Sequence, residues 1–209
     1  MNRNFNPPHP ELVEGRGGSK AEHRALLADH RARLHAERGW WAAEVAMAHH
    51  PRIEGAGVVA LYWPMRSELD PRPLMRRYLR SGWRVALPAT PPRGVEAPLQ
   101  FRLWDPHCAL VTHAFGMQEP SADAEQVTPD VVIVPLLGFD GRGHRLGYGA
   151  GHYDRTLAGL RSSGPVTAIG FAFEGQRVVE LPTHGGDQPL DAVLTEAGFH
   201  RFSKAQATG

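Results

Sequence analysis

Residues 134–155, with the sequence VPLLGFDGRGHRLGYGAGHYDR, pass from an apolar segment through a glycine-rich loop into a helical pattern. The apolar run at 131–137 predicts a buried strand, and the residues after Tyr153 have helical spacing. Six glycines lie between them within 14 positions: Gly138, Gly141, Gly143, Gly147, Gly149 and Gly151. Glycine has no Cβ to block close approach to a ligand, and a helix N-terminus carries partial positive charge. The order of strand, glycine loop and helix therefore predicts a phosphate-binding turn.

Two common glycine motifs do not account for this loop. Its spacing is not that of the P-loop, GxxxxGK[ST], and it matches the dinucleotide pattern GxGxxG poorly. A surface loop rich in turns could also contain several glycines. Two aspartates and two arginines accompany the glycines, namely Asp140, Arg142, Arg145 and Asp154. Their position at the exit of a buried strand favours a phosphate or anion site over a plain surface loop.

The rest of the chain alternates between strand and helix patterns. Ser19 is a candidate N-cap for a helix from Lys20 to about His50, and residues 70–79 predict a shorter helix. Strand patterns occur at 57–64, 83–88, 99–104, 131–137, 167–173, 177–181 and 192–202, whereas residues 105–130 look largely irregular. This alternation predicts an α/β fold in which residues 19–209 form a single three-layer domain, with a mainly parallel central sheet and helices on both faces.

Composition limits the classes of protein to consider. The formal net charge of +1 gives no general attraction to nucleic acid or to an anionic membrane. The single cysteine, Cys108, excludes an internal disulfide and fits a reducing compartment, and a buried or idle thiol is favoured over a nucleophile. The chain has no apolar run of membrane-spanning length and no signal-peptide pattern, so a cytoplasmic protein is expected. Residues 1–18, which are rich in proline and glycine, predict a flexible tail.

Other residues could belong to a site, although each has a simpler interpretation. Trp63 and Glu68 follow a strand, where a carboxylate beside an aromatic ring could hold a flat, nitrogen-rich ligand. Glu68 could equally complement a helix dipole. Lys20 and Arg24 lie four residues apart, a spacing typical of a solvated helix face. The histidines do not have metal-ligand spacing, and no Ser-His-Asp motif is present.

With these residues in view, the chain resembles the 5-formyltetrahydrofolate cyclo-ligase family, also called methenyltetrahydrofolate synthetase, from about Lys20 to Phe202. Residues 138–155 are similar to the family pattern F-D-x-x-G-x-R-L-G-x-G-x-G-x-Y-D. Supporting segments occur in the family's order: YWPMRSELD (62–70), VALP (85–88), PLQFRLW (98–104), FGMQEP (115–120), IGFAFEGQ (169–176) and LPTHGGDQPLDAVLTE (181–196). The sequence departs from the pattern at Ala150 and His152, and in the Asp187 loop at His184 and Gly186.

The resemblance implies ATP-dependent cyclisation of 5-formyltetrahydrofolate to 5,10-methenyltetrahydrofolate, with Mg²⁺ and with release of ADP and phosphate. Lys20 and Arg145 would neutralise the transferred charge. The implied ATP-binding set is Lys20, Arg24, Arg145, Leu146, Gly147, Tyr148, Gly149, Ala150, Gly151, His152 and Tyr153. Asp154 and Asp187 would hold Mg²⁺, which takes only one or two protein carboxylates. The folate would contact Trp63, Glu68, Phe101 and Trp104.

Two alternatives remain at this point. One is a related ATP-dependent enzyme acting on another formyl or carboxyl compound, and the other is a non-catalytic folate- or nucleotide-binding protein. The joint presence of cationic, carboxylate and folate-contacting residues favours an enzyme, because a sensor has no need to keep all of them. The expected enzyme is a cytoplasmic monomer whose partner is its folate substrate, with no nucleic acid and no membrane.

Overall fold

The computed structural model describes residues 19–51, 56–92, 94–112 and 116–203. Three α-helices lie within these ranges: α1 (Lys20–His49), α2 (Arg72–Arg80) and α3 (His152–Ser163). Ser19 caps α1 as predicted, because its side chain accepts from the Glu22 N–H and the Glu22 carboxylate accepts from Ser19 N at 2.7 Å. The tail predicted for residues 1–18 lies outside the described residues and stays a prediction.

The central sheet contains eight strands in the order β12-β11-β10-β7-β1-β2-β3-β6. Two further pairs, β4–β5 and β8–β9, stand apart from it. The strands are β1 (Val58–Ala60), β2 (Arg84–Ala89), β3 (Gln100–Trp104), β4 (Leu110–Thr112), β5 (Gln118–Pro120), β6 (Gln126–Val127), β7 (Val131–Val134), β8 (Gly138–Phe139), β9 (Arg145–Leu146), β10 (Thr167–Phe171), β11 (Ala192–Thr195) and β12 (Gly198–Arg201). A 3₁₀ turn covers Glu174–Gln176.

The middle of this sheet is parallel and its edges are antiparallel. Strands β2, β1, β7, β10 and β11 pair in parallel, whereas β3, β6 and β12 pair antiparallel. The chain moves from β1 to β2 in one direction and from β7 through β10 to β11 in the other. The strand order therefore reverses between β1 and β7, and the carboxyl ends of such neighbouring strands form a crevice where ligands bind in α/β proteins.

Both faces of the sheet are covered by helices. Ile133 packs with Leu34 of α1 and Leu74 of α2, whereas its neighbour Val132 packs on the opposite face with Leu157 of α3. Successive strand residues point to opposite faces, so a strand buried on both sides is apolar throughout. The predicted α/β class, with a mainly parallel sheet and helices on both faces, is confirmed. No helix in the described part of the chain is long and apolar enough to cross a membrane.

Three segments differ from the sequence-based expectation. Residues 105–130 are not simply irregular, because β4 and β5 form a hairpin and β6 joins the sheet edge. Residues 177–181 form no strand, and only Arg177 makes an isolated bridge, to Phe139. Residues 192–202 form two antiparallel strands in place of one. The place of β6 depends on the distant strand β3, and a local pattern does not contain that information. The β4–β5 and β11–β12 hairpins pair neighbouring segments, and the sequence-based interpretation missed their turns.

Candidate active site

The first half of the glycine-rich stretch is a structural support. Between β8 and β9 the chain reverses around Asp140, which is fully buried and accepts from Arg142 N at 2.9 Å and from His144 N at 3.1 Å. The His144 ring lies 2.9 Å from the second Asp140 oxygen. Gly143 has a φ of 84°, and a Cβ there would lie 2.8 Å from the Leu190 carbonyl oxygen. This turn therefore requires glycine for packing and fixes where the rest of the loop begins.

The second half, residues 147–151, presents unpaired backbone amides at the start of α3. Gly149 and Gly151 have φ values of 103° and 67°, and Gly151 is the N-cap of α3. None of the backbone N–H groups of residues 148–153 donates a hydrogen bond to another described residue. Tyr148, Gly149 and Ala150 are exposed. Such amides at a helix N-terminus are suited to the oxygens of a phosphate group.

The first turns of α1 lie against this loop. Arg24 Nε donates to the Gly147 carbonyl oxygen at 3.1 Å, and a Cβ on Gly149 would lie 3.0 Å from the Arg24 guanidinium carbon. Lys20 Nζ lies 2.9 Å from Asp187 Oδ2. The structure thus brings Arg24 to the glycine loop and Lys20 to the loop of Asp187, both more than a hundred residues away, and neither is simply a solvated helix residue.

Arg145 lies between Asp154 and the loop that contains Asp187. Its guanidinium donates to Asp154 Oδ1 at 2.7 Å and to the Gln188 carbonyl oxygen, one residue after Asp187. Burial lowers the pKa of Arg145, and the charges of Asp154 and Asp187 oppose that effect. Partial burial alone would raise the pKa of Asp187. The hydrogen bonds from Lys20 and from His184 N outweigh burial and lower the pKa of Asp187 below its usual range.

The donor set fits a magnesium ion that arrives with a nucleotide. The described residues contain no group of three or more His, Cys, Asp or Glu side chains that could hold a metal by itself. Mg²⁺ keeps several waters and is commonly held by one or two carboxylates together with substrate phosphates. Asp154 accepts from Arg145, and the charges of Asp154 and Asp187 both act on that guanidinium, so the two carboxylates provide such a pair.

Glu68 lies across the sheet crevice, in a turn that follows β1. Glu68 N donates to the Met65 carbonyl oxygen at 3.0 Å, and Met65 N donates back to Glu68 Oε2 at 2.9 Å. Arg66 completes the turn with a φ of 52°, a left-handed conformation that is uncommon for a residue with a side chain. Only 4% of Glu68 is exposed, and burial raises the pKa of its carboxyl to about 7, against the Met65 hydrogen bond and the charges of Arg31 and Arg66.

A groove of about 600 Å³ runs past this carboxylate. Its walls are formed by His35, Ala36, Gly39, Trp40, Pro64, Arg66, Glu68, Asp70 and Arg72. The nearest cation to Glu68 Oε1 is Arg31 Nη1 at 3.9 Å, which is beyond hydrogen-bond distance. One oxygen of a buried carboxylate therefore remains available to a ligand in a groove of ordinary small-molecule size.

The three predicted aromatic contacts separate into two groups. Trp63 and Trp104 pack edge to face with ring centroids 5.8 Å apart, and Arg72 lies over the Trp63 ring. Trp104 Nε1 is buried and has no hydrogen-bond partner among the described residues. Phe101 belongs instead to the core on the α3 side of the sheet, with Leu99. Phe101 and Trp104 lie three positions apart on β3, so their side chains point to opposite faces of the sheet. The structure therefore does not bring Phe101 to the groove.

A model of the 5-formyltetrahydrofolate cyclo-ligase family matches residues 16–196. This chain belongs to that family. The 5-formyltetrahydrofolate cyclo-ligase of Escherichia coli (strain K12) is 37% identical over 157 residues, which cover 73% of this chain and 85% of that protein. The enzyme of the same name from Mycolicibacterium smegmatis is 36% identical over 150 residues, which cover 69% of this chain and 75% of that protein.

Solved structures agree with this family assignment. The 5,10-methenyltetrahydrofolate synthetase of Aquifex aeolicus has a TM-score of 0.71 and 29% identity, covering 91% of this cyclo-ligase chain and 96% of its own. The 5,10-methenyltetrahydrofolate synthetase of Mycoplasma pneumoniae, at 19% identity and a TM-score of 0.66, shares the fold. The family predicted from the glycine-rich motif is confirmed.

Three residues of the candidate site were missed by the sequence-based reasoning. Trp40 is 83% exposed at the groove rim, and Arg66 shapes the Glu68 turn. Arg31 is 2% exposed and lies beside Glu68. A signal for Arg31 was present in the sequence, because Leu27, Arg31 and Leu34 follow the helical spacing of one buried face. An arginine on such a face needs partners in the folded protein.

Proposed function

We propose that this protein catalyses the ATP-dependent cyclisation of 5-formyltetrahydrofolate to 5,10-methenyltetrahydrofolate. The observation that carries the proposal is the meeting of two half-sites at the point where strand order reverses. One is the loop of unpaired amides with Lys20, Arg24 and Arg145, and the other is the groove with the buried carboxylate of Glu68. The same family membership supports ATP as the co-substrate.

The nucleotide half-site is proposed to hold the ATP phosphates. The backbone N–H groups of residues 147–151 and of the N-terminus of α3 donate hydrogen bonds to phosphate oxygens, and Lys20, Arg24 and Arg145 supply positive charge. Arg145 is buried and bonded to Asp154, so its direction is fixed before the nucleotide arrives. Leu146, His152 and Tyr153 frame the loop at its two ends and are proposed to contact ATP through their backbone.

The folate half-site is proposed to hold the pterin ring against Glu68. An ionised carboxylate accepts two charge-assisted hydrogen bonds from neighbouring N–H groups of a flat heterocycle. Glu68 has one oxygen without a hydrogen-bond partner among the described residues and faces the groove. Trp63 packs on Trp104 and lies under Arg72, which lines this groove, so the pair provides aromatic surface next to it. These two tryptophans are the proposed aromatic wall.

Asp154 and Asp187 are proposed to hold Mg²⁺ when the nucleotide is bound. The ion would neutralise phosphate charge and help to align the γ-phosphoryl group with its acceptor. Arg145 donates to Asp154 and Lys20 donates to Asp187, and these contacts hold both carboxylates in place. Removal of Mg²⁺ with a chelator is therefore expected to abolish turnover.

The chemistry explains why no protein nucleophile is needed. The formyl oxygen attacks the γ-phosphorus of ATP, and ADP leaves. The phosphorylated oxygen is now a good leaving group, so a neighbouring nitrogen of the folate attacks the formyl carbon. That nitrogen loses a proton, the C–O bond breaks, and inorganic phosphate departs with the former formyl oxygen. The protein aligns the reactants and neutralises negative charge, which Arg145 and Lys20 are placed to do.

A direct assay tests this proposal. Purified protein is mixed with 5-formyltetrahydrofolate, ATP and Mg²⁺, and the near-ultraviolet absorbance of the methenyl product is followed. Product is expected only when ATP and Mg²⁺ are both present. Folate binding without turnover would instead support the non-catalytic binding protein, and turnover with a different formyl or carboxyl compound would support the related enzyme.

We expect the enzyme to work as a cytoplasmic monomer with a small folate molecule as its partner. The near-neutral net charge supports a partner that is neither nucleic acid nor a membrane, because it gives no general attraction to either. Cys108 is exposed and has no cysteine to pair with within the chain, in keeping with a reducing compartment.

A further inference from the structure

Arg31 is a buried charge in the middle of the long N-terminal helix. Its side chain is 2% exposed, and it lies on the same face of α1 as the buried Leu27 and Leu34. Burial of a charged group is costly unless the group is paired and hydrogen-bonded. Its counter-ion is Glu68, whose Oε1 lies 3.9 Å from Arg31 Nη1. An apolar side chain would fill this position without that cost, so the contacts of Arg31 need an explanation.

The guanidinium of Arg31 donates to three separate parts of the site. Its Nε donates to Ser67 Oγ at 3.1 Å, next to Glu68, and its Nη1 donates to the Leu136 carbonyl oxygen at 3.2 Å, just after β7. Its Nη2 donates to the Tyr148 hydroxyl, and its carbon lies 5.3 Å from the centroid of that ring. Arg31 therefore touches the folate turn, the strand exit and the nucleotide loop at once.

We infer that Arg31 is a positioning residue that couples the two substrate sites, so that each substrate binds more tightly when the other is present. This inference rests on the proposed function. A nucleotide that binds the amides on both sides of Tyr148 would fix the loop and with it the hydroxyl that Arg31 holds. Arg31 would then be fixed against the Ser67–Glu68 turn in the position that receives the folate.

The loop has the properties that such coupling requires. Its amides from residue 148 to residue 153 have no partner within the described chain, so a ligand can bind them without breaking an internal hydrogen bond. Tyr148 is exposed on one side and is flanked by glycines, and two guanidinium groups, of Arg31 and Arg66, lie against its ring. Both arginines also lower the pKa of Glu68. A shift of Tyr148 that moves these arginines therefore changes the positive charge that faces the Glu68 carboxylate.

The charged and titratable groups around Glu68 come from several elements. They are Arg31 of α1, Arg66 of its own turn, Tyr62 after β1, Tyr153 of α3, and His35, Asp70 and Arg72 along the groove. Among these groups, only Arg31 donates hydrogen bonds to both the Ser67–Glu68 turn and the nucleotide loop. It is therefore the residue to change when testing communication between the sites.

The test compares affinities by calorimetry in the full-length protein. The Kd of 5-formyltetrahydrofolate is measured with and without a saturating non-hydrolysable ATP analogue and Mg²⁺, and the reciprocal pair is measured for the analogue. We expect each ligand to tighten the other by the same factor, about fivefold or more. In Arg31→Met and in Tyr148→Phe, which keeps the ring and removes the hydroxyl, that ratio is expected to fall to about one.

Arg33→Met is the matched control, because Arg33 lies on the same helix but is exposed, and it should keep the wild-type ratio. A substitution at a residue with only a structural role would weaken the binding of both ligands. It would leave unchanged the factor by which each ligand tightens the binding of the other. If Arg31→Met does not fold, Tyr148→Phe decides alone. Independent affinities in the wild type, or a wild-type ratio in a folded Arg31→Met or Tyr148→Phe protein, overturn the inference. If the wild type forms the methenyl product in either case, the proposed function stands without this coupling.

Discussion

At the scale of single residues, Glu68 is expected to serve the folate and not the nucleotide. Glu68→Gln is expected to weaken 5-formyltetrahydrofolate use by on the order of 1–3 kcal/mol while leaving the KM for ATP nearly unchanged. The amide cannot accept both pterin hydrogen bonds, and the nucleotide loop lies across the crevice. Steady-state kinetics with each substrate varied in turn measures the effect. An unchanged KM for the folate would remove Glu68 from the site.

The raised pKa of Glu68 also has a consequence for stability. Its carboxyl has a pKa of about 7 in the fold, against an ordinary value of 4.5, because it is buried. Between these two values the folded state binds more protons than the unfolded state, so ionisation of Glu68 reduces stability as the pH rises. The free energy of unfolding of the wild type, relative to that of Glu68→Gln, is therefore expected to fall from pH 4.5 to about 7. Denaturant titrations of both proteins across this range measure it, and a flat difference would contradict the assignment.

Lys20 is expected to serve the nucleotide and not the folate. Its ammonium lies at Asp187, and Lys20 is not among the residues that line the groove beside Glu68. Lys20→Ala should lower ATP affinity and rate together, by about tenfold or more, because a point charge at the phosphates is lost. Folate affinity should stay close to that of the wild type. Arg33→Ala, an exposed α1 variant, is the control, and equal ATP affinity in the two variants would show that Lys20 has no phosphate role.

At the scale of elements, Gly143 in the turn between β8 and β9 is required for packing, whereas Gly159 in α3 is not. Gly143→Ala forces a Cβ to within 2.8 Å of the Leu190 carbonyl oxygen at a φ of 84°, and should cost about 1–3 kcal/mol of stability. Gly159→Ala, in the exposed part of α3 with open space around it, should stabilise by about 0.4–1 kcal/mol. Thermal unfolding of the two variants gives the comparison. Equal effects would mean that the hairpin turn tolerates a side chain.

The sequence predicts elements well where the determining interactions are local. The capping box at Ser19, the helix to His49 and the apolar strand β7 all follow from residues a few positions apart. The β4–β5 hairpin could not be predicted in this way, because its short strands depend on pairing with each other. Arg31 was missed for the same reason, since its partners lie in three segments that are distant in sequence.

At the scale of the whole molecule, the sheet order explains why the two half-sites meet. The Glu68 turn follows β1 and the glycine loop follows β7, which are neighbours in the sheet although they are separated by β2 to β6 in the chain. Sequence patterns predict a parallel sheet but not the adjacency of β1 and β7. The family resemblance supplied the assignment of residues to one site, and the fold gives the physical reason for it.

The central claim is that ATP activates the formyl oxygen, which then leaves as part of the phosphate. Labelling the formyl group of 5-formyltetrahydrofolate with heavy oxygen tests this most directly. After turnover with ATP and Mg²⁺, mass spectrometry of the released inorganic phosphate should find one labelled oxygen in each phosphate, with one methenyl product and one ADP formed per label. Label recovered in water, with unlabelled phosphate, would contradict the account.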